Sequence, residues 1–467
     1  YRVVGFYVEP ISVKHHFSDG SDGEPWDWDG ESPEGRTRPL STCSKNEWLS
    51  ADQVTELQGV EEGEVILYTY DVIWSESDTQ WASRWDVYLS MDNRVPAKIH
   101  WFSIVNSLLI ILFLSALVGM ILVKNLKNDI YQYNRVLTDE EKAEEREESG
   151  WKLLHADVFR PPVKMPMMFC VFVGTGMQLL VMIGVVIVFA VLGFLSPARR
   201  GSMMMMILVI YVMNGATAGY ISSRLYKSFR GRAWQRTTLL TATVFPGLAF
   251  MLMLFVNCWL SVYHSAGAVP FLQILSVFAL WLCVSVPLVF FGAFFGYKKE
   301  TLAFPTVTST IPREIPELPW YLQTLTVVGL GGVLPFGAAY VELFYILSSI
   351  WMDQYYYVFG FTFMVMVILV ITCGELAMLF VYFQLCAEDY RWWWRSFLAA
   401  GSTAFYVFAY SCVWFQLLEP SSMAITYILY FGYMGLISFA IFLVTGTIGF
   451  ISCLWFTTTI FSSIKVD

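Results

Sequence analysis

Two glutamates of this 467-residue chain stand inside long apolar stretches, where a charged side chain is costly. Glu342 lies within residues 325–349, and Glu375 lies within residues 358–384. A carboxylate in the middle of a bilayer costs about 2.5–3.5 kcal/mol on insertion scales, so such residues commonly mark ion or substrate pathways. Two interpretations follow: a proton-responsive or ligand-responsive site, and a hydrogen bond that joins neighbouring helices. The sequence favours the second. The polar residues considered as partners in such a bond are Asn106, Asn214, Gln178 and Tyr340.

Six glycines suit the close approach of two helices. The candidate helix-packing or cargo face consists of Gly215, Gly219, Gly329, Gly331, Gly332 and Gly337. Small residues four positions apart let helix backbones pack closely in a membrane. The dense set in residues 325–349, together with Pro335, also weakens a continuous helix, as in the broken helices of transporters. Packing within this chain and binding to a glycine-rich helix of another protein need the same kind of surface. The sequence favours internal packing and leaves both uses open.

A run of three tryptophans is flanked by two arginines, as Arg391, Trp392, Trp393, Trp394 and Arg395. Indole rings concentrate at the headgroup level of membranes, and arginine side chains pair with lipid phosphate. The run therefore predicts an interfacial anchor.

The usual signatures of catalysis are missing from the sequence. It contains no P-loop, no Gly-x-Ser-x-Gly and no pair of zinc ligands. The adjacent His15 and His16 fit a solvated strand end better than a metal site. Two intramembrane carboxylates could hydrolyse peptides, but the familiar intramembrane motifs use aspartate. We predict no enzyme activity, no cofactor, no bound metal and no nucleic-acid partner.

Composition identifies the elements that hold these residues. Apolar residues make up 56% of the chain and charged residues 14%, against roughly 45–50% and about 25% in a soluble domain. A helix needs about 20 apolar residues to cross a bilayer. Nine such stretches predict transmembrane helices at 101–123, 167–195, 202–223, 237–260, 270–296, 325–349, 358–384, 396–417 and 424–456. The last is predicted to be one tilted or kinked helix, and the lipid bilayer is the first partner that follows.

Lysine and arginine predict the orientation, because positive residues near span ends are retained on the cytoplasmic side. With an external N-terminus, the inside segments carry nineteen Lys and Arg residues, whereas the short outside loops carry only Arg199 and Arg200. Residues 224–236 give the strongest evidence for this orientation, because they contain five positive residues and no acid. The N-terminus is therefore predicted to be luminal and the tail 461–467 cytosolic.

The polar part before the first span is predicted to be a separate module. Residues 1–97 contain runs with the alternation of half-buried strands, such as 65–72, which indicates a β-rich, sandwich-like luminal module. The chain opens at Tyr1 without a signal-like segment, so we expect a processed chain or part of a longer one. Residues 124–166 form a charged cytosolic loop, and residues 167–460 hold the second to ninth spans. The expected fold is an all-α polytopic membrane domain with this β-rich module before it.

Several strings of residues resemble one family of membrane proteins. They are Ile99-His-Trp-Phe-Ser-Ile-Val-Asn-Ser107, Gly150-Trp-Lys-Leu-Leu-His-Ala-Asp-Val-Phe-Arg160, Pro312-Arg-Glu-Ile-Pro316 and Glu388-Asp-Tyr-Arg-Trp-Trp-Trp-Arg-Ser-Phe397. Along the whole chain they resemble the nonaspanins, the transmembrane-nine superfamily. The resemblance implies a Golgi and endosomal membrane protein, made with a signal peptide, that acts in membrane traffic, cell adhesion and phagocytosis. It also implies a luminal domain larger than residues 1–97.

The resemblance assigns partners as well. Nonaspanins look like escorts that bring the glycine-rich transmembrane segments of other proteins to the cell surface. Their C-terminal Lys-x-Asp/Glu pattern resembles a signal for the COPI coat, which retains them in the Golgi, and Lys465 and Asp467 occupy the matching positions. A helix end with ordinary interfacial charges is the other interpretation of this pair. A cytosolic tail, as predicted from charge, is accessible to a coat.

The sequence therefore predicts a Golgi and endosomal protein that sorts other membrane proteins. The alternative is a transporter, channel or lipid-handling protein whose site surrounds Glu342 and Glu375. A solvated cavity that reaches both carboxylates favours transport. A dry helix interior with an open groove facing lipid favours escort.

Overall fold

The structure of the chain, a computed structural model, divides by its internal contacts into two units, Tyr1–Val95 and Pro96–Asp467. It describes residues 2–6, 8–14, 57–59, 68, 70, 72–78, 81, 97–133, 150–192, 200–263, 267–351, 355–417 and 424–463.

In the first unit, the described residues form no strand. Apart from one helical-turn residue, Trp81, they have no regular secondary structure. The guanidinium of Arg2 lies 5.6 Å from the centroid of the Trp81 ring. Most of the predicted strand at 65–72, together with His15 and His16, lies outside the described residues. The β-rich module therefore stays a prediction.

In the second unit, the described residues include nine spans that are long and apolar enough to cross a membrane, as predicted. The helices are Ala97–Tyr133 (first span), Pro166–Val191 (second), Arg200–Met213 and Gly215–Ser228 (third), Trp234–Val262 (fourth), Phe271–Leu280 and Val286–Lys298 (fifth), Thr324–Gly331 and Val333–Trp351 (sixth), Tyr355–Cys386 (seventh), Trp392–Gly401 and Thr403–Leu417 (eighth), and Ala424–Ser462 (ninth). These segments are helical because a helix pairs its backbone N–H and C=O groups internally, which a lipid environment requires.

Some spans are interrupted where the sequence disturbs the regular hydrogen-bond ladder. The sixth span breaks at Gly332, three residues before Pro335, as its glycine content predicts. Proline adds to the break because it has no N–H to donate. The third and eighth spans break at Asn214 and Ser402, and the fifth contains one π-helical turn at Trp281–Ser285. These breaks divide four of the spans into shorter helices.

The ninth span is the central helix of the bundle. It is one continuous helix of 39 residues, as predicted. At 1.5 Å per residue it is about 58 Å long, which exceeds the hydrocarbon core of about 30 Å. Within its most apolar window 56% of the residues are buried in protein, against 22% in the first span and 11% in the fifth. The second, seventh and eighth spans pack around the ninth, whereas the first and fifth are peripheral.

The segment 150–165 closes one end of the bundle, called here the capped end. Trp151 is fully buried and packs edge to face on Phe461 of the ninth span, with the ring centroids 5.3 Å apart. Phe159 stacks on Phe304 at 4.7 Å, which brings a second loop into the same layer. Aromatic packing of this kind fixes both loops on the ends of the helices.

Candidate functional site

Glu342 sits on the sixth span with its side chain fully buried. The hydroxyl of Ser107, on the first span, donates a hydrogen bond to Oε1 of this carboxylate. Ser107 is buried too, so the contact is shielded from lipid. A hydrogen bond between helices inside a membrane contributes about 0.6–2 kcal/mol. The contact supports the interpretation that Glu342 joins neighbouring helices. The observed partner, Ser107, is the next residue after Asn106, which was one of the predicted partners.

Glu375, on the seventh span, also faces the first span. Its half-buried carboxylate lies near the hydroxyl of Ser115. Ser107 and Ser115 are eight residues apart on one helix, and therefore about 12 Å apart along its axis. The two glutamates therefore lie beside the first span at two separate levels, and Glu342 is hydrogen-bonded to it.

A third polar contact holds the first span near the capped end. The carboxylate of Asp129 accepts hydrogen bonds from the hydroxyl of Tyr382 at 2.8 Å and from the indole of Trp151 at 3.0 Å. The same side of the helix buries Ile111 and Val118. Since the other side is exposed, the first span is attached to the bundle through a narrow stripe.

Ser107 and Ser115 were not among the predicted partners of the glutamates, because a serine in an apolar helix gives little signal by itself. The available signal was spacing. Ser107, Ser115 and Asp129 stand at positions that fall on one side of a helix with 3.6 residues per turn. Polar residues at such intervals in a transmembrane helix indicate a side that contacts protein.

The small residues of the third span pack against the fifth span. A Cβ added to Gly219 would overlap the carbonyl oxygen of Val289, and a Cβ on Gly292 would overlap the carbonyl oxygen of Ala216. A Cβ on Gly215 would meet the end of the Val289 side chain at 3.1 Å. The two helices therefore touch through backbone atoms on both sides, which is the close packing that such glycines permit.

Two glycines of the sixth span pack against the eighth span. A Cβ on Gly331 would lie 2.5 Å from the carbonyl oxygen of Ala399, and one on Gly332 would lie 2.5 Å from the backbone nitrogen of Thr403. Four members of the candidate cargo face are thus buried between helices of this chain and closed to another protein. They are Gly215, Gly219, Gly331 and Gly332.

The other two glycines of that face remain open. An added Cβ on Gly329 or Gly337 would have no atom within 4 Å, and both residues are exposed. Leu330, Val333 and Leu334 lie between them and are 43% to 54% exposed. We call residues 329, 330, 333, 334 and 337 the open strip.

An aromatic ladder borders the open strip. Its rings, at every fourth position of the sixth and eighth spans, are Phe336, Tyr340, Phe344, Tyr406, Tyr410 and Trp414. Tyr340 packs on Tyr410, and Phe344 packs on Trp414, with 5.1 Å between centroids in each pair. The Tyr406 hydroxyl donates to the carbonyl of Gly329 at 2.5 Å. The ladder fixes the sixth span against the eighth and leaves the open strip beside it.

The three consecutive tryptophans bind the 150–165 segment. Trp392, Trp393 and Trp394 each donate an indole N–H to a backbone carbonyl at 2.8 Å. The acceptors are Val158, Arg160 and Lys164. Trp392 is 0% exposed and Trp393 2% exposed. This corrects the predicted interfacial anchor, because these two rings lie in the protein interior and not among headgroups.

The arginines beside the tryptophans are held by a buried carboxylate. Asp389 is fully buried, and its Oδ2 lies 3.1 Å from Nη1 of Arg395. Nε of Arg391 lies 3.0 Å from Oδ1 of the same carboxylate. Nε of Arg395 also donates to the hydroxyl of Thr324 at 3.0 Å. Because a buried charge needs a partner, this group ties the start of the eighth span to the start of the sixth.

The predicted coat signal lies outside the described residues, since the description ends at residue 463. Lys465 and Asp467 therefore stay a prediction. Among the described residues, no group of three or more His, Cys, Asp or Glu side chains could hold a metal ion.

The nine apolar spans, the glycine contacts between them and the hydrogen bonds inside them define a polytopic α-helical membrane protein. The chain belongs to the endomembrane protein 70 family, whose family model matches residues 1–425. This confirms the predicted resemblance to the nonaspanins.

The similar proteins carry transmembrane-nine names. The chain is 48% identical to Transmembrane 9 superfamily member 9 of Arabidopsis thaliana over 466 residues, which cover 100% of this chain and 69% of that protein. It is 41% identical to Transmembrane 9 superfamily member 4 of Homo sapiens over 467 residues, with coverage of 100% and 69%. It is 48% identical to human Transmembrane 9 superfamily member 2 over 408 residues, with coverage of 87% and 60%. No solved structure matches the chain.

Proposed function

We propose that this protein sorts other membrane proteins in the Golgi and endosomes, and that it escorts proteins with glycine-rich transmembrane segments to the cell surface. Its N-terminal unit is luminal and its C-terminal tail is cytosolic, where Lys465 and Asp467 bind the COPI coat. Membership of the endomembrane protein 70 family supports an endomembrane location. The distribution of Lys and Arg between the loops supports the orientation.

The observation that carries the escort proposal is the open strip of the sixth span. A helix from another protein can approach closely only where small residues face lipid. Gly329 and Gly337 are small residues of this kind, because each is exposed and has no atom within 4 Å of the position of a Cβ. They stand eight residues apart, one on each side of the break at Gly332. A glycine-rich cargo helix can therefore contact both helices of the sixth span.

The test fills the strip with larger side chains. We expect G329L/G337L to lose co-purification with a reporter whose transmembrane helix is glycine-rich, and the reporter to stay inside the cell. The fold is expected to persist, because the new side chains enter open space. The matched control is G119L/G360L, which fills two other open positions and should capture and deliver the reporter normally. Equal capture by both double variants would contradict escort through this strip.

The tail is tested by location. Replacing Lys465 and Asp467 with alanine should move the steady-state protein from the Golgi to endosomes or the surface, as seen by imaging beside a Golgi marker. A variant that keeps the Golgi location would remove the support for a coat signal.

The second candidate is a transporter, channel or lipid-handling protein, and the full burial of Glu342 inside a span favours it. The variant E342Q/E375Q keeps a side-chain oxygen acceptor at each position but cannot ionise. If protons move through these carboxylates, proton flux into vesicles containing the purified protein should stop in this variant. Escort predicts instead that reporter delivery is unchanged by it, so the two assays separate the candidates.

A further inference from the structure

Five exposed cations gather at the capped end, where the third and fifth spans end and the fourth begins. They are Arg230, Arg232, Arg236, Lys298 and Lys299. Within the part of the chain that the structure describes, none of their side chains makes a hydrogen bond or an ion pair. We call these five residues the basic cluster.

The structure holds two distant segments together to form the basic cluster. The ring of Trp234 stacks on that of Tyr297, with 5.7 Å between centroids. Nζ of Lys227 donates to the carbonyl oxygens of Tyr297 and Lys299, at 2.8 Å each. Lys227 therefore satisfies the free carbonyls at the end of the fifth span. It also fixes residues 230–236 beside residues 298 and 299.

The charge of this region is not balanced by nearby acids. Residues 224–236 contain no acid, and the exposed Glu300 follows Lys299 in the second segment. The fourth-span helix also begins here at Trp234, with no acid in its first turn and no side chain capping it. Its free N–H groups add positive potential at the same place. The arrangement favours an anion with more negative charge than one phosphate.

The surroundings favour a lipid over a soluble anion. On the fifth span, Phe291, Phe294 and Lys298 stand at positions i, i+3 and i+7, which lie on one side of a helix. Phe291 is 61% exposed and Phe294 is 54% exposed. An acyl chain can therefore lie along these rings while its headgroup contacts the cations above them.

We propose that the basic cluster binds a phospholipid whose headgroup carries several phosphates, a polyphosphorylated inositol lipid, in the leaflet at the capped end. Arginine contacts phosphate through two parallel N–H groups, and lysine contacts it as a point charge. The three arginines lie where the third span leads into the fourth, and the two lysines lie at the end of the fifth span. The bound lipid therefore joins the third and fourth spans to the fifth. In the orientation proposed above, this leaflet is cytosolic.

The test uses the full chain, purified in uncharged detergent micelles that contain a trace of fluorescent phosphatidylinositol bisphosphate. Anisotropy is followed as protein is added. The cluster variant is R232Q/R236Q/K299Q, and the matched control is K124Q/K127Q/K164Q, which removes three exposed cations elsewhere. Because each cation near a lipid surface contributes about fivefold in affinity, we expect the cluster variant, which lacks three of them, to bind on the order of 100-fold more weakly. The control should bind as the unaltered protein does.

Two competitors identify the ligand. Phosphatidylserine, added at equal total charge, should displace the probe poorly, and soluble inositol trisphosphate should compete only at much higher concentration. Equal loss of binding in both triple variants, or equal competition by phosphatidylserine, would mean that the cations attract any anionic lipid surface without a specific site. Either result would overturn the proposal. Equal competition by the soluble headgroup would overturn the lipid part of it. Equal elution volumes and thermal midpoints of the three proteins show that the fold is unchanged.

Discussion

The substitution Gly219→Ala should drive the third and fifth spans apart. Alanine is favoured over glycine inside a helix by about 1 kcal/mol, so an unobstructed site gains stability. At Gly219 the new Cβ would overlap the carbonyl oxygen of Val289 and lie 2.9 Å from the nitrogen of Ala293. Overpacking costs about 1–3 kcal/mol, and backbone atoms cannot rotate away, so the upper end applies. We expect a net destabilisation of about 2 kcal/mol.

Two further glycines make the test a series. Gly184→Ala places its Cβ in open space and should be neutral or stabilising by up to about 1 kcal/mol. Gly215→Ala would place its Cβ 3.1 Å from a methyl group of Val289 and 3.6 Å from the carbonyl oxygen of Ser285. The small shift that this requires should offset the gain in helix propensity, so the net effect should be close to zero. The three substitutions have the same chemistry and differ only in the space around the methyl group.

Buried thiols supply the assay. Cys170, Cys373 and Cys453 are buried, whereas Cys258 and Cys283 are exposed. With the other five cysteines of the chain, Cys43, Cys258, Cys283, Cys386 and Cys412, replaced by serine, labelling of the three buried thiols by a fluorescent maleimide reports unfolding in detergent as temperature or denaturant increases. The midpoint of the unfolding transition should fall for Gly219→Ala only. If that protein unfolds no earlier than the one with alanine at position 184, the close contact between the third and fifth spans is refuted.

Three other predictions concern contacts of the capped end and the first span. Ser107→Ala removes the hydroxyl that donates to Glu342 and should lower the free energy of unfolding by about 1 kcal/mol. The loss should appear as earlier labelling of the buried thiols. Ser107→Thr keeps a hydroxyl and should not label earlier. Trp393→Phe keeps most of the ring packing but loses one indole donor; it should cost about 1–3 kcal/mol and speed protease cleavage of the 150–165 segment. Asp389→Asn leaves the buried Arg395 without its counter-ion and should cost about 3–5 kcal/mol; a thermal midpoint equal to that of the unaltered protein would contradict this ion pair.

The spans were predictable because a membrane imposes a simple demand on sequence. Long apolar stretches predict each helix, and the uninterrupted stretch from residue 424 predicts the continuous ninth helix. Helix ends were harder, because polar residues continue a helix beyond the bilayer. The first helix reaches Tyr133, ten residues past its predicted limit at 123.

The partners of individual side chains could not be predicted, since they depend on which spans become neighbours. Gly219 and Gly329 look alike in sequence, yet one touches the backbone of the fifth span and the other faces open space. The same limit explains the tryptophan run. Trp393 has the composition of a headgroup anchor, but its environment is decided by a loop more than 200 residues earlier, whose carbonyl at Arg160 accepts its N–H.

The packing of the ninth helix limits how far from the protein a partner that binds the tail can be. Phe461 is held by Trp151 in the capped end, and the helix ends at Ser462. Asp467 is five residues further along the chain, and a fully extended chain spans at most about 3.6 Å per residue. A partner that binds at residue 467 therefore has to reach within about 18 Å of the helix end. If the tail binds a coat as proposed, the coat subunit has to come almost into contact with the capped end, and its surface has to fit the shape and charge there.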